Sequence, residues 1–539
     1  MTATNTDSGS LISERVAGGI LPKVLTTFDM VAIFVAIVLF ITNAAAIQPA
    51  GPAAYGWWII GFVVFLIPCA IATGQLGVMF PGEGSIYLWT HKAFGPFWGF
   101  FAGFCAWWPG VLVMVATGDL VISFLGYAFR AVSTWSVQEQ GLVIVAVIVA
   151  SAILAVLRFR VTQNMVNVVF ALYGLAILAM FVAGIVYLAR GHHAAVNPWA
   201  FSQWSSRAHG INFTNWTFFG LVVLALLGVE VPLNMGVEIR DQRAVTRYLL
   251  WGSLVVMVAY LIATWGEMVT VPTSSSASIT AVAGVVGIGL GGVAGKITAI
   301  ILALFFLFIT VVYNYSFARL IFVSGLDQRL PKAMSHVNKA RVPDAAVWVQ
   351  TIIAALFTLL AFVLIPSITS GKAADAETKI YDVLQAAVTV IWCISIVILF
   401  VDILIILRRF QAQFQARRIA HPAVFWACSI IGGLASLVGV SATLSGSWTP
   451  LISNNAGSVT IFGATISYGT WFWWIGGITL ASLAVAALLY LVGRMSGPAE
   501  PSVPAGAGGP AWPRARTAER SAGGTERRPG ASKRCPIPE

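Results

Sequence analysis

Apolar stretches of 20 or so residues recur along most of the chain, and short polar segments that carry most of the charge separate them. A helix needs about 20 apolar residues to cross roughly 30 Å of hydrocarbon, so each stretch predicts one membrane-spanning helix. The pattern therefore predicts twelve spans, at residues 24–48, 54–79, 97–129, 139–157, 163–189, 213–237, 247–270, 293–323, 345–366, 381–407, 422–445 and 470–493.

The two ends of the chain lack this pattern. Residues 1–20 are polar, and residues 497–539 are rich in Pro, Gly, Ala and Arg. Because such segments cannot bury enough apolar surface to fold, we expect both to be disordered, the second as a basic tail. Residues 21–496 are expected to form one twelve-span domain.

Composition supports a polytopic membrane protein. The 539 residues are 58% hydrophobic and only 9% charged, whereas soluble domains carry about a quarter charged residues. The net charge of +11 lies in short loops and the tail, not in a groove with interleaved aromatic residues, so it does not indicate a nucleic-acid partner. The five Cys residues have no paired spacing, which indicates neither disulfides nor a metal site.

The basic residues also predict the orientation. With the N-terminus in the cytoplasm, 25 of the 31 Lys and Arg residues fall on the cytoplasmic side and 6 on the other. Cytoplasmic loops carry the excess of Lys and Arg, so we expect a multi-pass protein of the plasma (inner) membrane with both termini in the cytoplasm.

The sixth span contains an ionisable residue beside two helix breakers. Gly228, Glu230 and Pro232 lie together in this apolar stretch. A carboxylate in hydrocarbon costs about 2 to 4 kcal/mol, and a broken helix at membrane depth persists only against protein or a water-filled cavity. The combination is typical of a solute site in a secondary transporter, although a kinked span whose Glu230 pairs with a neighbour is the plainer alternative.

Catalytic chemistry is not indicated. All six His residues fall in predicted loops or at span ends, and no metalloprotease, serine-hydrolase or phosphate-loop motif occurs. We therefore do not expect an enzyme, a metal site or a cofactor. Asp382 and Asp402 fall near opposite ends of span ten, where we expect them to be solvated.

Three motifs occur in order over roughly the first 350 residues. Pro81-Gly82-Glu83-Gly84-Ser85-Ile86-Tyr87 precedes Phe94-Gly95-Pro96-Phe97-Trp98-Gly99-Phe100, Gly228-Val229-Glu230 precedes Glu238, and Phe317-Ala318-Arg319-Leu320 leads into Asp327 and Pro331. Together they resemble the amino acid–polyamine–organocation (APC) superfamily, and within it the glutamate/GABA antiporter branch.

The resemblance implies an all-α, leucine-transporter-like fold. Two inverted repeats of five spans would cover about 24–189 and 213–407, with two further spans in 422–493. Spans one and six would both be broken at mid-membrane. Where the family usually has Gly-Ser-Gly in span one, this chain has Phe40-Ile41-Thr42-Asn43, whose polar Thr and Asn still permit a break.

Broken helices offer complementary groups to an amino acid. The free N–H groups of a half-helix suit a carboxylate, and unwound carbonyls suit an ammonium. We therefore expect substrate binding at two breaks and coupling or gating by four further residues. The first break comprises Phe40, Ile41, Thr42, Asn43 and Ala44, for the carboxylate; the second comprises Leu226, Leu227, Gly228 and Val229, for the ammonium; the coupling candidates are Glu230, Asp119, Tyr313 and Asn314.

Several of these residues have plainer explanations. Asp119 could equally be a charge near the outer interface, and Tyr313 and Asn314 could form ordinary hydrogen bonds between helices. The function that the sequence supports is alternating-access transport of an amino acid or related amine, as a proton-linked symporter or an exchanger. A carrier of another organic cation or a nucleobase, or a membrane sensor that does not transport, is the alternative.

Overall fold

The structure is a computed structural model that describes residues 11–207, 210–271, 278–364, 366, 373–445, 458–461 and 464–496. Within these residues, twelve helical segments are long and apolar enough to cross a membrane. They are Thr27–Ala50, Ala53–Met79, Pro96–Ala128, Val137–Ala155, Phe159–Ala189, Thr217–Asn234, Arg243–Thr270, Gly292–Leu326, Asp344–Leu364, Asp382–Arg409, Pro422–Ser445 and Tyr468–Gly493. We number them spans one to twelve; they match the spans predicted from hydropathy.

Other elements connect or interrupt the spans. Spans two and nine each contain a π-helical turn, at Phe62–Leu66 and Leu359–Leu364, and the helix of span ten begins earlier, at Ala373. Strand Ser458–Ile461 pairs antiparallel with strand Ala464–Ser467. Among the described residues, four further α-helices lie outside the spans, at Ile12–Ile20, Ser85–Phe94, Ala281–Leu290 and Gln411–Arg417.

Span one lies at the centre of the bundle and span twelve at its edge. The most apolar window of span one is 100% buried, against 22% for span twelve. Large apolar side chains such as Val168, Leu250 and Leu480 are more than half exposed on the outer spans, where lipid would cover them. We call the side on which span one begins the basal side and the opposite side the distal side.

The N-terminal segment is partly folded, contrary to the expectation of disorder over residues 1–20. Helix Ile12–Ile20 is held on the basal side because Ser13 donates from N and Oγ to the Asp327 carboxylate, both at 2.8 Å. Lys92 Nζ also lies 2.9 Å from Glu14 Oε1. These long-range contacts cannot be recognised from local composition. Residues 1–10 and the predicted disordered tail 497–539 lie outside the described residues.

Span six is broken where the sequence predicts. Its α-helix ends at Leu226, and a 3₁₀ turn resumes at Val231. Gly228 has a φ of 99°, and a Cβ there would lie 2.4 Å from Cγ2 of Ile37 in span one. Only glycine combines this backbone with this close approach, so Gly228 lets spans one and six meet.

Span one is also broken, but earlier than expected. Its helix ends at Val38 and resumes at Thr42, so the break covers residues 39–41. Phe40 and Ile41 lie in the break as predicted, whereas Thr42, Asn43 and Ala44 lie in the second half-helix. The break comes early because tyrosine hydroxyls from other spans donate hydrogen bonds to the carbonyls of residues 37–40.

Candidate functional site

The two breaks meet around one buried hydroxyl. Oη of Tyr260, in span seven, lies 3.2 Å from the carbonyl oxygens of Val38 and Phe40 and 3.1 Å from that of Ala225. A phenol has a single proton and can donate to only one of the three at a time. Tyr260 therefore links the break of span one to the end of the helix that precedes the break of span six.

Two further tyrosines complete this arrangement. Tyr173 of span five donates to the Leu39 carbonyl at 2.9 Å, and Tyr313 of span eight donates to the Ile37 carbonyl at 3.2 Å. A buried carbonyl without a partner costs about 1–3 kcal/mol, so these hydroxyls stabilise the unwound backbone. They also reduce the number of free carbonyls that could bind a substrate ammonium.

Glu230 follows the span-six break and is bound to span ten. Its Oε1 accepts a 2.7 Å hydrogen bond from Nε1 of Trp392, and the residue is 1% exposed. The second oxygen, Oε2, accepts no hydrogen bond from another described residue. The carboxyl group thus has one fixed contact and one oxygen available to a proton or a cationic group.

A small cavity lies beside these residues. This central cavity, of about 20 Å³, is lined by side chains from both breaks and from spans three, eight and ten. Such a volume holds about one water molecule, so an amino acid or amine enters only if the helices move apart. Its lining residues are Ile37, Phe40, Asn43, Val113, Leu224, Ala225, Leu227, Tyr313, Gln385, Val388 and Trp392.

Four of the expected site residues line this cavity, namely Phe40, Asn43, Leu227 and Tyr313. Phe40 packs edge-on against Tyr313, with ring centroids 6.2 Å apart. Glu230 and the remaining residues of the two expected breaks do not line the cavity, although each is close in sequence to a residue that does. These remaining break residues are Ile41, Thr42, Ala44, Leu226, Gly228 and Val229.

Two expected coupling residues lie elsewhere. Asn314 donates to Ser151 Oγ at 3.1 Å and Thr351 Oγ1 at 3.0 Å, and accepts from Gln350. These bonds join spans four, eight and nine, which fits the alternative of ordinary hydrogen bonding between helices. Asp119 is buried in span three and does not line the central cavity.

Hydropathy did not single out Trp392 and Gln385 of span ten. A single tryptophan and a single glutamine in an apolar span form no periodic pattern. The sequence therefore does not show whether they face a cavity or the lipid. Five buried tyrosines in the described spans gave a weak signal, since a buried phenol needs a partner: Tyr173, Tyr248, Tyr260, Tyr313 and Tyr315.

The acidic residues of span ten are buried, contrary to the expectation that they are solvated. Asp402 is 0% exposed and accepts a 2.5 Å hydrogen bond from Thr90. Asp382 is 2% exposed and lines a second cavity of about 20 Å³, which we call the distal cavity. The helices Ser85–Phe94 and Pro422–Ser445, which pack on span ten, explain this burial.

The basal side is closed by a cluster of three charged residues, Glu83, Glu238 and Arg319, which we call the basal cluster. Arg319 Nη2 lies 2.8 Å from Glu238 Oε1, and its Nε lies 3.8 Å from Glu83 Oε1. All three are at most 2% exposed. Burial raises the pKa of the Glu83 carboxyl well above its ordinary value, and the negative charge of Glu238 raises it further.

Backbone contacts reinforce this closure. The N–H groups of Val24 and Leu25 donate to the Glu238 carbonyl at 2.9 and 3.0 Å, and Gly84 N donates to the Asn234 carbonyl at 3.0 Å. The chain before span one, the loop after span two and the chain after span six are thereby joined under the two breaks. These contacts cover the two breaks on the basal side.

Within the described residues, no group of three or more His, Cys, Asp or Glu side chains has the geometry to hold a metal ion. The side chains at and beside the central cavity supply hydrogen-bonding groups, the Glu230 carboxyl and aromatic rings. This set suits the recognition of an ammonium or similar cation.

Known transport proteins are similar to this chain in sequence. The probable agmatine/putrescine antiporter of Lactococcus lactis is 24% identical over 279 residues, which cover 50% of this chain and 57% of the relative. The aromatic amino acid transport protein AroP of Salmonella typhimurium is 26% identical over 338 residues, 60% of this chain and 70% of the relative. The match thus spans little more than half the length of the first relative.

The fold is shared with a solved structure. A mutant of the Eremococcus coleocola manganese transporter aligns over 92% of this chain and 96% of its own, with a TM-score of 0.53 and 12% identity. At this identity the similarity concerns the fold alone. It confirms the helical transporter fold expected from the APC resemblance.

The sequence also matches a family model. Residues 25–461 match the model described as amino acid permease, which is most of the chain. The matched proteins are transporters, not enzymes, in agreement with the sequence analysis. The chain therefore belongs to the amino acid permease family.

Proposed function

We propose that the protein is a secondary transporter of an amino acid or amine, which works by alternating access as an exchanger or a proton-linked symporter. The observation that carries the proposal is the Glu230 carboxyl, buried where two broken spans meet, with one oxygen bound to Trp392. An ammonium group can replace the solvation that this carboxyl loses on burial.

The relatives support this substrate range. One is a probable agmatine/putrescine antiporter and another transports aromatic amino acids, so both amines and amino acids belong in the panel to be tested. The carboxylate of an amino acid would face the half-helix that begins at Thr42, whose N–H groups carry partial positive charge.

The closed basal cluster and the small central cavity define one state of the cycle. We propose that the distal side faces the exterior and that the basal side, with both termini, faces the cytoplasm of the plasma (inner) membrane. Opening of the basal cluster would release substrate to the cytoplasm. A single cysteine near Arg409, at the basal end of span ten, should react with an impermeant reagent only after the cells are permeabilised.

Uptake into proteoliposomes tests the function. Purified protein should accumulate at least one member of a panel of radiolabelled agmatine, putrescine, phenylalanine and glutamate, compared with liposomes without protein. The same assay with a pH gradient, with unlabelled substrate inside, or with neither separates proton coupling from exchange. No uptake of any member under any of the three conditions would contradict the proposal.

A further inference from the structure

A second buried carboxyl group lies one cavity away from Glu230. Asp382 is near the distal end of span ten, and neither of its carboxylate oxygens accepts a hydrogen bond from a described residue. A buried charge without a partner costs several kcal/mol. Asp402, near the other end of the same span, has a hydrogen-bond partner, because the Thr90 hydroxyl donates to its carboxyl group. A proton, or a cation that enters the cavity beside Asp382, would remove this cost.

The distal cavity is lined by this carboxyl group and by an indole. Thr217 and Gly220 of span six, Thr443 of span eleven and Trp471 of span twelve form the walls around Asp382. Nε1 of Trp471 donates to the Thr443 carbonyl at 2.8 Å, which fixes the ring in the wall. A carboxylate and an aromatic face in one desolvated cavity attract an organic cation, because both present negative potential.

The charge of the two cavities favours a cation over an anion or a zwitterion. Asp382 is the one ionisable side chain among the described residues that line the distal cavity. Among the described residues that line the central cavity, none is Lys, Arg or His. Neither cavity therefore offers a basic side chain to a substrate carboxylate, whereas each has a carboxyl group in it or beside it.

The two cavities lie on one route. Leu224 and Gln385 line both of them. Asp382, Gln385, Thr389 and Trp392 recur at intervals of three or four residues, which places them on one face of span ten. Trp392 ends this polar face at its hydrogen bond to Glu230. A continuous strip of polar side chains thus joins Asp382 to Glu230.

Asp382 and Glu230 belong to different cavities. Asp382 and Trp471 line the distal cavity only, whereas Trp392, which binds Glu230, lines the central cavity only. Asp382 and Trp392 are ten residues apart on span ten, a rise of about 15 Å along the helix axis. The distal cavity is therefore a separate position on the route.

We propose that Asp382 and Trp471 form a distal cation-binding station, which holds the ammonium or guanidinium group of an amine substrate before the substrate reaches Glu230. Like the central cavity, the distal cavity of about 20 Å³ admits such a group only when the helices around it move apart. The station deepens the proposed transport function and rests on it for its physiological role. It selects substrates that carry net positive charge, because the charge of a zwitterion's carboxylate opposes binding beside Asp382.

Equilibrium binding of radiolabelled putrescine to the purified protein tests the station without requiring transport. Asp382→Asn should weaken binding about tenfold, the effect of removing one charge-assisted contact in a desolvated site. Asp382→Glu, which keeps the carboxylate, should bind more tightly than Asp382→Asn. The matched control is Asp402→Asn, which neutralises the other buried Asp of span ten and should bind putrescine as the wild type does.

The outcomes separate this proposal from the transport function. Equal putrescine binding by Asp382→Asn and the wild type, or no binding by the wild type, contradicts the station. Uptake of a neutral amino acid by vesicles that bind no putrescine would leave the transport function standing. Weakened binding by Asp382→Asn in a protein that transports nothing would support the station and contradict the transport function.

A second measurement keeps Asp382 intact. A cysteine at Thr217, which lines the distal cavity with Asp382, should react faster with a cationic ethylammonium methanethiosulfonate than with a neutral reagent of similar size. Putrescine should slow the reaction of the cationic reagent. Equal rates for the two reagents, together with no protection by putrescine, would overturn the station.

Discussion

Arg319 donates from both Nε and Nη2 to a single oxygen of Glu238, Oε1, at 3.1 and 2.8 Å. The contact joins the basal part of span eight to the chain that follows span six. Nη1 of Arg319 donates to the Tyr315 carbonyl at 2.7 Å, which fixes the guanidinium in place. If the basal side opens during transport, this contact is among those that must break in every cycle.

Neutralising Glu238 should loosen the basal side. Glu238→Gln leaves the buried guanidinium with Glu83 as its nearest carboxylate, 3.8 Å away. Breaking a buried ion pair costs about 3–5 kcal/mol, so we expect a marked fall in thermal stability. A cysteine at Ser316, which is buried in span eight, should also react faster with a thiol reagent added from the basal side.

The matched control is an ion pair on the same side that is partly exposed. Glu14 pairs with Lys92 at 2.9 Å, with side chains 23% and 13% exposed. Glu14→Gln should change stability by about 1 kcal/mol or less. Equal losses for Glu14→Gln and Glu238→Gln would show that the basal cluster does not hold this side closed.

The basal cluster should also respond to pH. Burial raises the pKa of the Glu83 carboxyl in the closed state, whereas water lowers it towards its ordinary value when the side opens. The closed state therefore binds more protons, and it should gain stability as the pH falls through the closed-state pKa of Glu83. The neighbouring charges are Arg319 and Glu238 within the cluster, and Asp29 with Arg160 on the far side of Tyr315.

Cysteine reactivity at Ser316 measures this response. The labelling rate is first corrected for the ionisation of the cysteine thiol introduced at Ser316. The corrected rate of labelling from the basal side should fall as the pH is lowered. Glu83→Gln removes the titrating group and should flatten the profile. A wild-type profile that stays flat, or that rises at low pH, would refute the assignment.

Gly228 should tolerate no side chain. Gly228→Ala places a Cβ 2.4 Å from Ile37 Cγ2 and holds alanine at a φ of 99°. Backbone strain of about 1–2 kcal/mol and overpacking of about 1–3 kcal/mol should add, and transport should be lost. Gly291→Ala is the control, because Gly291 has a φ of 105° with no atom within 4 Å of a Cβ. Equal effects on the melting temperature would contradict close contact of the two breaks.

The hydroxyl of Tyr260 should stabilise both breaks. Tyr260→Phe keeps the ring, which stacks on Trp58 with centroids 4.1 Å apart, and removes only the donor to three carbonyl oxygens. We expect a loss of about 1–3 kcal/mol in unfolding free energy. Tyr187→Phe, at a half-buried ring beside His192, should cost less than about 0.5 kcal/mol. Similar losses of unfolding free energy for the two variants would show that the Tyr260 hydroxyl does not stabilise the breaks.

Hydropathy was sufficient for the twelve spans, because each needs about 20 apolar residues to cross the membrane and little else. The break in span six was also predictable, since Gly228 and Pro232 interrupt a helix whatever surrounds them. The break in span one was placed only approximately. Its position depends on hydroxyls from spans five, seven and eight, which are distant in the sequence.

Burial of polar residues was the harder problem. Ser13 and Asp327 hold the N-terminal helix across more than 300 residues, so local composition wrongly indicated disorder. The burial of Asp382 and Asp402 depends on which helices pack on span ten. Hydropathy gives no information about this packing. Trp392 was missed for the same reason, although it supplies the fixed contact to Glu230.

The central claim is that Glu230 takes part in transport and is not only a structural pair with Trp392. Proteoliposome uptake of the transported amine, measured from pH 5 to pH 8 with purified Glu230→Gln and wild-type protein, tests it most directly. Glutamine can still accept the Trp392 hydrogen bond and is cheaper to bury than a carboxylate, so the variant should insert and melt at or above the wild-type temperature. The account predicts that its uptake falls at least tenfold and that its pH profile differs in shape from that of the wild type. Uptake equal to that of the wild type at every pH would contradict the account.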